Sequence, residues 1–121
     1  MTMEVYAIVR VDLDRHQVLE QRLAIYDHTA ARDWQLGHDH WVEYAPGDPA
    51  RPLPDDLSRP GRLLLLPSLH ALGRSILEIA QAFESLLAGG AQCHALAEGV
   101  LLGGDAPREP TRRVDDVDRF E

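Results

Sequence analysis

The sequence predicts an α/β domain of three layers, in which helices cover both faces of a mostly parallel four-stranded sheet. Short apolar segments alternate with stretches of helical periodicity in the order β-α-β-loop-β-α-β, which is typical of parallel strands joined by crossovers. The third apolar segment, Arg62 to Leu66, is aliphatic from its second residue onward, as expected for a strand buried on both faces. These two observations decide the fold class.

The first half of the chain is predicted to form two strands with a helix between them. Met3 to Val11 is short, β-branched and largely apolar, so it predicts a central strand. Asp14 is placed to cap a helix that runs from about Arg15 to Trp34. The apolar residues that recur at three- and four-residue steps, and that we expect to face the sheet, are Val18, Leu19, Leu23, Tyr26 and Ala30. His40 to Tyr44 predicts the second strand.

The second half begins with a proline-rich crossover and continues with a strand, a helix and a last strand. Ala45 to Pro60 carries five of the eight prolines, which excludes a long helix and allows one turn near its end. Ser75 and Glu78 form a capping-box pattern that opens a helix to about Ala88. The residues of this helix expected to face the sheet are Ile76, Ile79, Ala80, Phe83 and Leu87. Gln92 to Leu96 predicts the fourth strand.

The length of the chain corresponds to one domain. Its 121 residues and 45% apolar content are sufficient for a hydrophobic core. After Leu102 the chain becomes polar and loses its periodicity. The sequence therefore predicts an α/β domain over residues 1–102 and a flexible polar C-terminal tail over residues 103–121.

Charge and composition exclude several classes of function. The net charge of −8 makes direct binding of nucleic acid unexpected, because affinity for phosphate backbones comes mainly from Lys and Arg. The single cysteine, Cys93, lies in a predicted strand and is expected to be a buried, inert thiol. No apolar run approaches membrane-spanning length and no signal-peptide pattern occurs, so we expect a cytoplasmic protein without membrane contact. No motif predicts a cofactor.

One segment carries a resemblance to a known family. Pro60 to Glu78 combines a Pro-Gly turn, an aliphatic strand, the turn Leu72-Gly-Arg74 and a capped helix start. Together with Tyr6 to Val9 and Leu96 to Gly99, it resembles the N-terminal catalytic domain of serine recombinases, the resolvases and invertases. The resemblance extends over roughly residues 3 to 100 and implies a resolvase-like form of the α/β fold.

The resemblance also implies that the family's chemistry has been lost. It places the nucleophilic serine at Arg10 and two active-site arginines at Ile8 and Ala71, so that only Arg51 and Arg74 keep their residue type. The recombinase reaction needs a serine hydroxyl to attack a DNA phosphodiester and arginines to stabilise charge on the phosphoryl oxygens. We therefore expect a pseudoenzyme of the serine recombinase type, with no catalytic residues and no recombinase activity.

Three functions follow from this reading. The first is a protein-interaction or regulatory module, with a partner that is a true recombinase or another component of a mobile element or its gene control. The alternative is an enzyme or an anion- or nucleotide-binding protein that reuses the old cleft. Its candidate anion pocket consists of Arg10, Arg51, Arg74, His70 and Ser68. That alternative requires these side chains to meet in one concave pocket and Arg10 to be free of Asp12. The second alternative is an accessory DNA-binding protein, which the negative charge disfavours.

The segment His38-Asp39-His40 is a weak candidate for metal binding. Histidines two residues apart can ligate one ion at the start of a strand, with Asp14 or Asp27 as a third ligand. The competing interpretation is an ordinary polar turn. The spacing matches no established metal motif, and we expect no resident metal.

Two tryptophans flank the turn after the first predicted helix. Trp34 and Trp41 would form an exposed aromatic anchor for a protein partner, since tryptophan is enriched at binding hot spots. The competing interpretation is that they pack the helix onto the sheet. Formation of a homo-oligomer is left open, through the aliphatic positions of the helix from Ser75 to Ala88 or through an edge strand.

Overall fold

The computed structural model describes residues 4–103, which form one sheet and two α-helices. The strands are β1 (Glu4–Arg10), β2 (Trp41–Tyr44), β3 (Arg62–Leu66), β4 (Gln92–Ala95) and β5 (Val100–Gly103), and the helices are α1 (Arg15–Ala31) and α2 (Ile76–Ala88). Apart from Gly103 in β5, the predicted C-terminal tail lies outside the described residues. Within residues 4–103, neither helix is long and apolar enough to cross a membrane.

The sheet has the strand order β2-β1-β3-β4-β5, in which the first four strands are parallel and β5 is antiparallel to β4. The prediction of a mostly parallel α/β sheet is confirmed, but the predicted count of four strands is wrong. The missing strand, β5, has four residues and follows a tight turn in which Gly99 adopts a φ of 67°. The segment becomes a strand because the turn returns the chain to the edge of β4, with which it pairs antiparallel.

The pleat of the sheet separates the core into two clusters, one beneath each helix. Ala7, Val9, Leu63 and Leu65 pack with Ile25 of α1 on one face. The other face packs against α2 and includes Ile8, Leu64, Leu66, Leu86 and Cys93. Since the two helices cover opposite faces, the predicted three layers are present.

Of the five residues of α1 predicted to face the sheet, only Val18 does so. Its start is as expected, since Asp14 accepts a hydrogen bond from the backbone N–H of Gln17 in a capping box. The buried residues are Ile25 and Thr29, with Val18 partly buried against the same cluster. The predicted inward residues Leu19, Leu23 and Tyr26 are instead 53%, 51% and 56% exposed, and Ala30 is exposed as well. The three- and four-residue spacing of apolar residues identified the most regular apolar stripe of α1. A different side of the helix packs on the sheet.

The α2 helix follows its prediction more closely. Its N-cap is Ser75, whose hydroxyl accepts a hydrogen bond from the Glu78 backbone N–H. The predicted residues Ile79, Phe83 and Leu87 pack against the core, joined by Ala82 and Leu86. Two predicted positions are wrong, because Ala80 is exposed and Ile76 is 85% exposed. The 3₁₀ turn Leu69–Leu72 packs against α2 and fills the core there with the fully buried Leu72.

The crossover between β2 and β3 is irregular, as its prolines predict. Its single regular element is the 3₁₀ turn Asp55–Ser58, which buries Leu57 against the α2 side of the sheet. Cys93, in β4, is fully buried in the same cluster, and burial raises the pKa of its thiol to about 12. The prediction of a buried thiol is confirmed.

Candidate functional site

A crevice lies between the carboxyl ends of β1 and β3, where α/β sheets place their ligands. The chain leaves β1 toward one face of the sheet and leaves β3 toward the other, so the two strand ends diverge at a topological switch point. The cavity there has a volume of about 410 Å³. Its lining includes Arg10, Gln21, Ser68 and His70. The structure therefore brings together three of the five residues predicted to form an anion pocket.

Arg10 is committed to contacts within the protein. Its Nε lies 2.6 Å from Asp12 Oδ1, and its Nη1 donates to the backbone carbonyls of His70 and Gly73 at 3.2 and 3.0 Å. The Gln21 side chain also holds the Arg10 backbone, accepting from its N–H and donating to its carbonyl. The condition that Arg10 be free of Asp12 is not met, so the predicted pocket lacks its central free cation.

Ser68 and His70 play a local structural role at the end of β3. The Ser68 hydroxyl oxygen accepts a hydrogen bond from the backbone N–H of His70 at 3.1 Å and caps the 3₁₀ turn Leu69–Leu72. The hydrogen bond between the two residues therefore joins the Ser68 hydroxyl to the backbone of His70 and not to its imidazole. The His70 residue is exposed at the rim of the crevice.

The two remaining predicted cations each bind a carboxylate elsewhere. Arg51 Nη1 lies 2.8 Å from Glu43 Oε1, while Arg22 Nη2 binds the other oxygen of Glu43 at 2.8 Å. Arg74 forms two side-chain bonds with Glu78, at 2.7 and 3.2 Å. These hydrogen bonds lower the pKa of Glu78 to about 2.

The three predicted arginines consequently do not form one pocket. Arg51 lines a separate cavity of about 820 Å³ beside the start of α1, rather than the crevice that contains Arg10. Each predicted arginine instead has its own carboxylate partner, Asp12, Glu43 or Glu78.

The candidate metal residues His38, Asp39 and His40 form a short 3₁₀ turn, and β2 begins at Trp41 rather than at His40 as predicted. The Nδ1 atom of His40 lies 3.0 Å from the Val5 carbonyl oxygen. The His40 ring stacks on the Tyr6 ring at 4.4 Å. Within residues 4–103 no group of three or more His, Cys, Asp or Glu side chains is arranged to hold a metal ion. The His40 ring therefore serves to pack this turn against β1.

The two tryptophans contact different neighbours and do not form a joint anchor. Trp41 is partly buried against the α1 side of the core, 5.2 Å from the Tyr26 ring and beneath the Arg22 guanidinium. Trp34 lies beside His28 at a centroid distance of 6.0 Å and is 37% exposed. Trp41 thus packs the helix onto the sheet, whereas Trp34 remains partly exposed to solvent.

The largest apolar feature that faces solvent on α1 consists mainly of four residues that were predicted to face the core, Leu19, Leu23, Tyr26 and Ala30. We define the α1 outer stripe as His16, Leu19, Leu23, Tyr26 and Ala30, all of which are exposed. Three large apolar side chains of one helix are thus more than half exposed on a single line. The signal was present in the sequence as periodicity, and only its direction was misassigned.

A second feature that sequence reasoning missed is a histidine pair between α1 and β4. The rings of His28 and His94 are 4.9 Å apart, and the Nε2 atom of His28 is buried without a hydrogen-bond partner among the described residues. Burial, with smaller contributions from Arg32 and His94, lowers the pKa of His28 to about 4. Burial also lowers the pKa of His94. The two histidines are 66 residues apart in sequence, so no local sequence pattern predicts their contact.

This histidine pair predicts a loss of stability in mild acid. The unfolded chain binds a proton at His28 near pH 6.5, whereas the folded chain binds it only near pH 4, so stability falls as the pH drops through that window. Between pH 7 and pH 4.5 the free energy of unfolding of the parent protein should fall. In the His28→Leu variant we expect this fall to be smaller by roughly 1–2 kcal/mol, after allowance for solvent screening. Urea unfolding at both pH values measures this difference.

The matched control is His38→Leu, which removes an exposed histidine that lies outside both α1 and β4. It should leave the pH dependence of the parent unchanged. An equal acid loss in the parent and in His28→Leu would assign the effect to other groups.

No protein-family model matches this chain, and no curated protein sequence is significantly similar to it. Function is therefore inferred from the geometry of the described residues.

Proposed function

We propose that this chain is a protein-interaction module that binds a helix of its partner along the α1 outer stripe. The observation that carries the proposal is the exposure of Leu19, Leu23 and Tyr26, each above one half. Apolar residues at such spacing on one helix face are the anchors by which amphipathic helices dock. Covering the exposed parts of these three side chains would contribute roughly 2–4 kcal/mol to association.

The position of the stripe supports this role. Val18, Ile25 and Thr29 point toward the sheet, whereas the stripe lies on a flank of α1, where Tyr26 contacts Trp41 of β2 and Leu19 and Leu23 face solvent. Charged residues flank it on both sides, with Arg15 and Arg22 along one edge and Glu20 and Asp27 along the other. An apolar line between charged edges is the surface that an amphipathic helix covers.

The ion pairs of the three predicted arginines also favour a role in binding over a role in phosphoryl transfer. Arg10, Arg51 and Arg74 are each paired with a carboxylate of this chain, so none is presented as a free cation to a phosphate. The same pairing, with the net charge of −8, weakens the DNA-binding alternative. A resolvase-like pseudoenzyme that acts within a mobile element or its gene control remains the class that the family resemblance suggests.

A photo-crosslinking amino acid placed at Leu23 in the producing cell tests the proposal. We expect one discrete covalent adduct from position 23, and its loss when Leu19→Glu is added to the same chain. The control position is Leu77, a leucine of α2 that is 66% exposed. The mass of the adduct identifies the partner, whose purified form should bind the Leu23→Glu variant at least about tenfold more weakly. An adduct from position 77 alone, or none from position 23, would overturn the assignment.

A further inference from the structure

We infer that the helix which covers the α1 outer stripe is α1 of a second copy, aligned parallel to the first. This inference rests on the proposed function and names its partner. It is carried by the spacing of the stripe residues and by the charges along its two edges.

The spacing of the stripe is that of a coiled-coil seam. Its members, His16, Leu19, Leu23, Tyr26 and Ala30, are separated alternately by three and four residues. This places His16, Leu23 and Ala30 at the a positions of a heptad, and Leu19 and Tyr26 at its d positions. The 17-residue helix has a length of about 25 Å, which accommodates five such layers.

The charges on the two edges select a second copy and a parallel orientation. Arg15 and Arg22 occupy g positions, and Glu20 and Asp27 occupy e positions. In a parallel pair each g residue faces the e residue five positions further along the partner helix, so Arg15 meets Glu20 and Arg22 meets Asp27. The symmetry of the dimer repeats both attractive contacts. An antiparallel pair would place acids against acids and arginines against arginines, which is unfavourable.

The stripe remains accessible to a second helix beside α1. It lies about a third of a turn around the helix from Ile25 and Thr29, on the flank where Tyr26 contacts Trp41 of β2, and its large apolar side chains stay more than half exposed. Arg22 binds Glu43 through one nitrogen, and its guanidinium carries further donors for Asp27 of the second copy. Both helices are already folded, so association does not have to supply the cost of forming them.

The interface is expected to be weak because only three of its five layers carry large apolar side chains. A dissociation constant of roughly 0.1–1 mM corresponds to an interface with so few large apolar layers. Sedimentation of the full 121-residue chain between about 1 μM and about 1 mM should show a reversible monomer–dimer equilibrium. Leu23→Glu should abolish the dimer, while Leu77→Glu on α2 should leave it unchanged.

Charge reversal tests the contact between Arg15 and Glu20. The variants Arg15→Glu and Glu20→Arg alter exposed residues and each turn two attractive contacts into repulsive ones. We expect each variant alone to dimerise roughly tenfold more weakly than the parent. Their equimolar mixture should restore the parental affinity as a heterodimer. Failure of the mixture to restore it would overturn the inferred register.

Disulfide trapping tests the orientation. A parallel pair aligns each stripe residue with its own copy, so His16→Cys and Ala30→Cys should each form homodimeric disulfides on mild oxidation. The buried Cys93 stays reduced in both. An antiparallel pair would separate each of these positions from its own copy, so the absence of both homodimeric disulfides would refute the parallel arrangement.

The outcomes separate this inference from the proposed function. A chain that stays monomeric at about 1 mM, but crosslinks through position 23 to another protein, overturns the second copy and retains the interaction module. A monomeric chain with no stripe-dependent adduct overturns both.

Discussion

Replacing Leu64 by alanine is expected to lower the free energy of unfolding by about 3–4 kcal/mol. Leu64 is fully buried at the centre of the sheet, where it pairs with Tyr6 of β1 on one side and with Cys93 of β4 on the other. Its side chain belongs to the cluster beneath α2. Because both neighbouring strands are held by backbone hydrogen bonds, the cavity cannot close by a small movement. Urea unfolding at pH 7, followed by circular dichroism, measures the loss.

The matched control makes the same chemical change at an exposed site. Leu77 of α2 is 66% exposed, so Leu77→Ala should change the free energy of unfolding by no more than about 0.5 kcal/mol. Similar losses in both variants would contradict the packing of the central strand described above.

Replacing Gly73 by alanine is expected to cost about 3 kcal/mol, for a reason of space rather than of backbone conformation. The φ of Gly73 is −176°, which any residue adopts. A Cβ atom there would lie 2.6 Å from the Cβ of Glu78 and 2.8 Å from the backbone nitrogen of Ile79, so the first turn of α2 would have to shift. The shift would also weaken the hydrogen bond that Arg10 donates to the Gly73 carbonyl. Thermal unfolding should show a decrease in Tm of at least about 10 °C.

Gly99→Ala isolates the backbone contribution. Gly99 has a φ of 67°, and no atom lies within 4 Å of the added Cβ, so only the left-handed conformation is penalised, by about 1–2 kcal/mol. A loss at Gly73 no greater than that at Gly99 would show that the clash with α2 is relieved without cost.

The fold class was predictable from the sequence because alternation of apolar and helical segments is a local property of the chain. The caps at Asp14 and Ser75 are local as well, and both are present. Which side of the α1 helix faces the sheet was not predictable. The helix carries apolar residues on two sides, and which side meets the sheet is decided by how the loops before and after it place the helix.

The candidate site was predictable in its residue types and not in its connections. The pairing of Arg10 with Asp12 spans two residues and was identified in advance as the decisive contact. The separation of Arg51 from Arg10 depends on the path of the proline-rich crossover, which has no periodicity to read. The contact of His28 with His94 requires knowledge of which strand lies beneath α1.

Because Cys93 is buried, the rate at which its thiol is labelled reports how often the folded protein opens. Attack on a disulfide reagent requires a thiolate, and this thiol, with a pKa of about 12, is sealed between β3 and β5 beneath α2. Each labelling event therefore records an opening of the structure around β4. The labelling rate, divided by that of the unfolded chain, yields the population of the opened state without denaturant and without an introduced cysteine.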